Sequence, residues 1–248
     1  MQGFVVITGA SSGIGAAVAR RFGKAGHTVV LLARRLERLK QLAEEIEAPT
    51  HLYELDVRFK EAVAEVIADI EKKGSIDILV NNAGAAFGLE LAYESKLEEW
   101  DQCVAVNING LLYCTRAVLP HMVTRNCGHV INLGSVAGHY PYPGGNVYGA
   151  TKAFVHQFSL NLRADLLGTK VRVSCIEPGM TATEFSSVRF RGDESRAQKV
   201  YADTEPLTAE DIAETIYFCT ALPERANINN IEIMPLMQAP THLAVVRK

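Results

Sequence analysis

The stretch Phe4-Val5-Val6-Ile7-Thr8-Gly9-Ala10-Ser11-Ser12-Gly13-Ile14-Gly15 decides the fold of this chain. It opens with a short apolar, mostly β-branched run, which is typical of a buried strand. Apolar residues then recur at Ile14, Val18 and Phe22, the spacing of one helical face. The glycines between strand and helix predict a tight turn in which the backbone and the free N–H groups of the helix N-terminus can hold a phosphate. The predicted phosphate-binding residues are Gly9, Ser11, Ser12, Gly13, Ile14 and Gly15.

The same alternation of strand and helix continues along the chain. Apolar runs at residues 4–7, 28–32, 51–55, 76–80, 129–133, 171–176 and 231–234 predict seven strands. Amphipathic stretches lie between them, and the runs themselves are apolar throughout, as expected for a parallel sheet that is covered on both faces. We therefore predict an α/β, single-domain Rossmann fold over residues 1–248, a doubly wound seven-stranded parallel sheet with helices on both faces.

Composition narrows the class of partner. The chain has 248 residues and a formal net charge of −3, so it lacks the basic footprint of a protein that binds nucleic acid or an anionic membrane. Its five cysteines are scattered without the spacing of a metal site, which predicts reduced thiols and no bound metal. No secretory or membrane-spanning pattern is recognisable, and we expect a cytoplasmic protein that acts on a small molecule.

Residues 181–206 interrupt the alternation. The segment is polar and mixed in charge, and it follows the carboxyl end of a predicted strand, where open α/β sheets bind ligands. Loops of this length inside a compact domain are usually functional. We predict a substrate lid; a solvated surface excursion is the alternative.

The residues at the end of the second predicted strand would contact the adenosine ribose of a bound dinucleotide. An acidic residue at this place would hold a 2′-hydroxyl, but the chain has Ala33-Arg34-Arg35. Guanidinium groups bind a 2′-phosphate, so Arg34 and Arg35 favour NADP(H) over NAD(H). Alternatively, the two arginines only begin a solvated helix.

Three residues downstream suit proton transfer at a hydroxyl or carbonyl group. Tyr148 and Lys152 are four residues apart, so on a helix they share one face and the ammonium lies near the phenol. We predict that this ammonium, together with the positive charge of an oxidised nicotinamide, lowers the pKa of Tyr148. Ser135 ends the fifth strand and can donate a hydrogen bond to the same substrate oxygen.

The glycine spacing, Asn81-Asn82-Ala83-Gly84, Asp56-Val57 and the Tyr148/Lys152 pair together resemble the classical short-chain dehydrogenase/reductase family. This resemblance implies a catalytic tetrad of Asn107, Ser135, Tyr148 and Lys152, in which Asn107 holds a water that relays protons. It also implies that the cofactor is contacted by Asp56, Val57, Asn82, Ala83, Gly84, Tyr148, Lys152, Pro178, Gly179, Thr181 and Thr183. Taken singly, Asp56 or Ser135 could equally be a helix cap.

The second half of the chain is similar to a narrower group, the bacterial NADP-dependent 3-hydroxy acid dehydrogenases. The stretches that carry this likeness include Tyr142 to Phe154, Ile176-Glu177-Pro178-Gly179 and Asn227 to Pro235. The resemblance implies oxidation of serine, allo-threonine or 3-hydroxypropionate, or reduction of malonic semialdehyde, by a homotetramer. The substrate would be bound by Ser135 and Tyr148. A carboxylate also needs a cationic or N–H partner, for which Arg189 and Arg191 are candidates.

Two other functions remain open. A 3-oxoacyl thioester reductase or general carbonyl reductase would carry the same tetrad, although the chain ends in Met234-Pro235-Leu236-Met237-Gln238 rather than in an Asp-Gly-Gly stretch. A non-catalytic NADP(H)-sensing protein would keep the phosphate-binding turn, but such proteins tend to lose the tyrosine or the lysine.

Overall fold

The computed structural model describes residues 3–240 and confirms the predicted parallel sheet. Each strand ends within two residues of the run that predicted it. Residues 1–2 and 241–248 of the predicted domain lie outside the described residues. The strands are β1 (Phe4–Thr8), β2 (Val29–Ala33), β3 (Thr50–Glu54), β4 (Ile76–Asn81), β5 (Gly128–Leu133), β6 (Val171–Pro178) and β7 (Asn230–Ile233).

Helices connect these strands and cover both faces of the sheet. Two of the connections include other helix types: a π-helical segment, Ala105–Gly110, and a 3-10 turn, Val136–Gly138. The α-helices are α1 (Gly13–Lys24), α2 (Leu36–Glu44), α3 (Lys60–Lys73), α4 (Leu97–Val104), α5 (Leu111–Arg125), α6 (Asn146–Asp165), α7 (Phe185–Arg189), α8 (Glu194–Lys199) and α9 (Ala209–Ala221).

The sheet separates two apolar cores because successive strand residues point to opposite faces. On one face Val5 and Ile7 pack with α1, α2 and α9, and on the other Val6 packs with α3 and α5. Fully burying an aliphatic side chain of this kind stabilises the fold by about 1.5–3 kcal/mol. Because both faces of each central strand are buried, the sequences of these strands are apolar throughout.

The order of the strands, β3-β2-β1-β4-β5-β6-β7, reverses between β1 and β4. In open α/β sheets the ligand crevice lies at this reversal, outside the carboxyl ends of the strands. The Asn82 side chain, just after β4, bridges the two loops by donating to the carbonyls of Thr8 (2.9 Å) and Gly9 (3.2 Å).

One helical stretch, Leu97–Arg125, is long and apolar enough by length and composition to cross a membrane, and 39% of its most apolar window is buried. It comprises α4, the π-helical segment and α5. Cys114, Val118 and Met122 on its inner side pack into the core on the α3 face of the sheet. We interpret it as a core helix of the Rossmann fold.

Candidate active site

A cavity of about 1390 Å³ lies along the carboxyl edge of the sheet, between the β1–α1 turn and the segment 181–206. Pockets for a single small ligand are usually about 300–1,000 Å³, so there is room for a dinucleotide and a small substrate together. Of the predicted site residues, the cavity is lined by Gly9, Ser11, Ser12, Gly13, Ile14, Arg34, Arg35, Asp56, Val57, Asn82, Ala83, Gly84, Ser135, Tyr148, Lys152, Pro178, Gly179, Thr181, Thr183 and Arg189.

The β1–α1 turn fits a pyrophosphate. The N-cap residue of α1, Ser12, makes no side-chain capping bond. The Ala10 N–H donates to the Leu32 carbonyl, and the next backbone bond along the turn is from Ala16 N to Ser12 O. Within residues 3–240, the N–H groups between Ala10 and Ala16 therefore remain free to meet an anion at the positive end of the helix. Gly9 has a φ of +66°, which favours glycine, and a Cβ on it would lie 2.9 Å from the Cα of Ala83.

Gly15 does not line the cavity. A Cβ at this position would lie 2.5 Å from the Gly9 carbonyl oxygen and 2.6 Å from the Asn82 side-chain nitrogen. The glycine therefore lets α1 approach the turn closely enough to aim its N-terminus at the cavity. We assign it a packing role beneath the predicted phosphate site rather than a direct contact.

Arg35 joins several polar side chains at the end of the cavity where the adenosine is predicted to bind. Its guanidinium donates to the hydroxyls of Ser11 (3.0 Å) and Ser12 (2.8 Å) and to the carboxylate of Glu184 (3.1 Å). Arg38 donates to the same carboxylate at 2.6 Å. Burial opposes ionisation of Glu184, but the hydrogen bonds from Arg38 and Arg35 outweigh it and lower its pKa. Arg34 and Arg35 directly precede α2 and line the cavity, and both are exposed. Their contact with a 2′-phosphate stays a prediction.

Asp56 faces the same region. Arg58 binds its carboxylate through two nitrogens, at 3.0 and 2.6 Å. Burial raises the pKa of Asp56, but the hydrogen bonds from Arg58 bring it below its usual value. The cap alternative does not apply, because the N-cap of α3 is Phe59 and makes no side-chain capping bond.

Tyr148, Ser135 and Lys152 converge at the other end of the cavity. Burial raises the pKa of Tyr148, and the nearby Ser135 hydroxyl and the charge of Arg189 offset part of this effect. The Ser135 hydroxyl donates to the Pro178 carbonyl at 3.4 Å and, as the cap of the 3-10 turn, accepts from the Ala137 N–H at 3.2 Å. Lys152 Nζ lies 5.8 Å from the centre of the tyrosine ring and donates to the Leu133 carbonyl at 2.7 Å. Burial lowers the pKa of Lys152 to about 8. Both shifts disfavour the charged form of the side chain, so Tyr148 is a protonated phenol at neutral pH.

Asn107 lies in the π-helical segment, just behind the cavity wall. Its amide accepts from the Ala85 N–H at 2.8 Å and donates to the Ala85 carbonyl at 2.9 Å and to Thr151 at 3.0 Å. A Cβ on Gly84 would lie 3.4 Å from Asn107 Oδ1 and 3.6 Å from Lys152 Nζ, so the two side chains meet behind this glycine. π-Helical turns occur frequently at functional sites, and nothing in the sequence pattern indicated this one.

Arg189 and Arg191 have different surroundings. Arg189 lines the cavity with its guanidinium carbon 5.0 Å from the centre of the Tyr148 ring. It donates to the Tyr142 hydroxyl at 3.0 Å, and its Nε is buried without a partner among the described residues. Arg191 lies outside the cavity lining and is held by Glu99 at 2.6 Å and by Glu90 at 3.3 Å. The prediction that Arg191 binds substrate is therefore not supported, because its charge is already paired.

The segment 181–206 is more ordered than its composition indicated, since it contains α7 and α8. Asp193 caps α8 by accepting from the Arg196 N–H at 3.0 Å. Beyond this segment, the side chain of Thr208 caps α9 in a capping box. Sequence reasoning missed Tyr142, Glu184 and Phe185 as cavity residues. No local sequence pattern marks these three residues, because the side chains that they contact lie on other elements of the fold.

Comparison with known proteins agrees with this geometry. A family model described as short chain dehydrogenase matches residues 3–194. The chain is 51% identical over 246 residues to NADP-dependent 3-hydroxy acid dehydrogenase YdfG of Escherichia coli (strain K12), which covers 98% of this chain and 99% of that protein. It is 48% identical to sulfoacetaldehyde reductase 2 of Chromohalobacter salexigens over 100% of both chains. The closed form of serine dehydrogenase complexed with NADP⁺ has a TM-score of 0.97 and 51% identity, over 99% of this chain and 100% of that one.

Proposed function

This chain belongs to the short chain dehydrogenase family, and on that premise we propose that it is an NADP-dependent oxidoreductase that interconverts small 3-hydroxy acids and 3-oxo acids. Substrates of this class are serine, allo-threonine and 3-hydroxypropionate, or malonic semialdehyde in the reducing direction. Two relatives that are 51% identical to this chain over nearly its whole length are named as an NADP-dependent 3-hydroxy acid dehydrogenase and as a serine dehydrogenase complexed with NADP⁺.

NADP(H), when bound, supplies or accepts the hydride and, in its oxidised form, adds a positive charge beside the reacting oxygen. The β1–α1 turn would hold its pyrophosphate, because the free N–H groups there lie at the positive end of α1. Arg34 and Arg35 would hold the 2′-phosphate, with the Ser11 and Ser12 hydroxyls that already contact Arg35. Asp56 and Val57 would border the adenine.

Tyr148 would exchange the proton with the substrate oxygen. In the reducing direction a phenol that stays protonated at neutral pH is a ready donor, which agrees with the raised pKa of Tyr148. Ser135 would steady the oxygen by a hydrogen bond while charge develops on it. Lys152, with its pKa of about 8, and Asn107 behind it would return the proton to Tyr148.

The assignment of a carboxylic acid as substrate depends on the Arg189 guanidinium, which lines the cavity. The guanidinium donates to the Tyr142 hydroxyl and takes part in no ion pair within residues 3–240, so a carboxylate in the cavity would be its charge partner. Since the guanidinium carbon is 5.0 Å from the Tyr148 ring, a small substrate can place its carboxylate on Arg189 and its C3 oxygen at the phenol. A neutral carbonyl compound would leave this charge unused.

The test is NADPH formation from NADP⁺ with L-serine, L-allo-threonine or 3-hydroxypropionate, in wild type and Arg189→Met. Loss of a charge-assisted hydrogen bond costs about 1.5–3 kcal/mol, so KM should rise about ten- to a hundredfold. Arg191→Met is the matched control and should keep the wild-type KM. NADPH binding without turnover of any 3-hydroxy acid would refute the substrate class, and loss of turnover in Tyr148→Phe would exclude a sensor without catalysis.

A second candidate is the reduction of sulfoacetaldehyde, in which a sulfonate takes the place of the carboxylate. It is supported by Arg189, which would bind either anion, and by the relative of that name at 48% identity. Rates of NADPH oxidation with sulfoacetaldehyde, malonic semialdehyde and acetoacetyl thioester, compared side by side, distinguish the three substrate classes. Activity confined to the thioester would point to the 3-oxoacyl reductase alternative.

We also propose a homotetramer located in the cytoplasm. The helical stretch Leu97–Arg125 supports the assembly, because it leaves apolar side chains exposed, among them Leu97, Val104 and Val123. Such a face is usually covered by another protein surface. The reduced state of the five cysteines supports the location.

A further inference from the structure

Two histidines and a glutamate form a compact cluster outside the cavity described above. His139 Nε2 lies 2.8 Å and His156 Nδ1 2.9 Å from the same oxygen, Oε1, of Glu177. The three donor atoms lie within 4.8 Å of one another, and the two rings meet edge to face with centroids 4.5 Å apart. None of the three residues lines the cavity.

Glu177 needs a positive partner. The side chain is completely buried, and its second oxygen, Oε2, has no hydrogen-bond partner among the described residues. Within residues 3–240 the groups ion-paired with it are the two histidines, which are charged only when protonated. The nearby Cys175 thiol donates to Oε1 at 3.8 Å and brings no positive charge. A buried carboxylate oxygen without a partner is costly, and a metal cation would offset that cost.

We propose that His139, His156 and Glu177 bind a divalent transition metal of the Zn²⁺ class. Two imidazole nitrogens and one carboxylate oxygen are a donor set that Zn²⁺ accepts in tetrahedral sites. Bonds of about 2.0–2.2 Å separate tetrahedral ligand atoms by about 3.4 Å, so each ring nitrogen would move about half an ångström from Oε1. The histidine side chains are 29% and 24% exposed, which leaves an entry path and a fourth position for water.

The metal would join three segments that also support the catalytic residues. His139 is the C-cap of the 3-10 turn Val136–Gly138, which directly follows Ser135. His156 lies one turn beyond Lys152 on α6, and Glu177 directly precedes Pro178 at the end of β6. The proposed site is thus a structural brace behind the active site, separate from the reacting groups, and it does not depend on the proposed function.

The test is a calorimetric titration of chelator-treated protein with Zn²⁺ alone near neutral pH. We expect one Zn²⁺ per chain in wild type and at least a tenfold weaker binding in both His139→Ala and His156→Ala. These histidines are partly exposed, so the variants should fold, which circular dichroism will check; His156→Gln provides a second, more conservative variant. His121→Ala is the matched control, because His121 also lies near a carboxylate, 4.0 Å from Glu71, but belongs to no cluster of three such donor groups within residues 3–240.

A second readout is the midpoint of thermal unfolding. Zn²⁺ should raise Tm in wild type and His121→Ala but not in His156→Ala or His156→Gln, because a ligand stabilises only the folded state that binds it. Absence of stoichiometric binding in wild type would overturn the proposal. Equal binding by all variants, which would mean an adventitious ion only, would overturn it as well.

Discussion

At the scale of single residues, burial rather than charge sets the protonation of the proposed catalytic pair. Tyr148 and Lys152 are both buried, and burial disfavours the charged form of each, raising the pKa of the phenol and lowering that of the ammonium. The spacing of four residues places them on one face, as predicted. The predicted fall in the pKa of Tyr148 concerns the cofactor-bound enzyme and stays a prediction.

The buried Lys152 should leave a signature in the stability of the protein against pH. Its pKa is about 8 in the folded chain and 10.5 in the unfolded chain, so between these values the unfolded state binds more protons. Stability therefore rises with pH through this window, by about 3 kcal/mol at most. Urea unfolding at a series of pH values should show this gain in wild type and not in Lys152→Met. Parallel curves for the two proteins would contradict the lowered pKa.

Arg35 should select the cofactor. In Arg35→Ala the affinity for NADP⁺ should fall about ten- to a hundredfold, the worth of one or two charge-assisted hydrogen bonds, while the affinity for NAD⁺ changes little. Fluorescence titration with each dinucleotide measures both affinities. Arg38→Ala is the control, since Arg38 binds Glu184 but does not line the cavity. Equal losses for NADP⁺ and NAD⁺ would show that Arg35 only supports the turn.

At the scale of elements, the residues proposed to act together lie on segments held by contacts that are remote in sequence. Asn107 faces inward in a π-helical turn, and its amide reaches Ala85 on one side and Thr151 on the other. The segment 181–206 begins after β6 and is bound to α2 through Glu184. We propose that this contact keeps the predicted lid closed over the cofactor.

Glu184→Gln should loosen the predicted lid. The carboxylate joins Arg35 and Arg38, but all three side chains are between 42% and 46% exposed, so the contact is worth no more than about 1 kcal/mol. We expect NADP⁺ to dissociate about two- to fivefold faster, as measured by stopped-flow displacement. The matched control is Glu194→Gln, since Glu194 lies in the same segment but contacts Ser187 instead of an arginine. Unchanged or slower release would count against a closing role for Glu184.

At the scale of the whole molecule, the sheet brings the predicted phosphate-binding turn, the predicted tetrad and the arginines to one edge. Strands β1, β4, β5 and β6 are parallel neighbours, so the loops that follow them open into one cavity. The long helical stretch Leu97–Arg125 exposes apolar side chains on its outer surface, where the subunits of the proposed tetramer would pack.

Replacing an exposed apolar residue on that helix with a charge should weaken the assembly. We expect wild type to have four times the chain mass by light scattering after gel filtration, and Val104→Glu to shift toward smaller species, because a carboxylate buried in an interface is costly. Phe59→Glu is the control, since Phe59 is an exposed apolar residue that caps α3 and is not part of this helix. A monomeric wild type would refute the tetramer.

The sequence by itself determined the α/β class, the seven strands and the glycine turn between the first strand and the first helix. These features depend on apolar periodicity and on local backbone chemistry, which neighbouring residues specify. Only the tertiary structure decided that Arg189 enters the cavity while Arg191 is paired with Glu90 and Glu99, and that His139, His156 and Glu177 meet. Each depends on partners from distant segments, and no spacing along the chain encodes which charges folding brings together or how deeply it buries them.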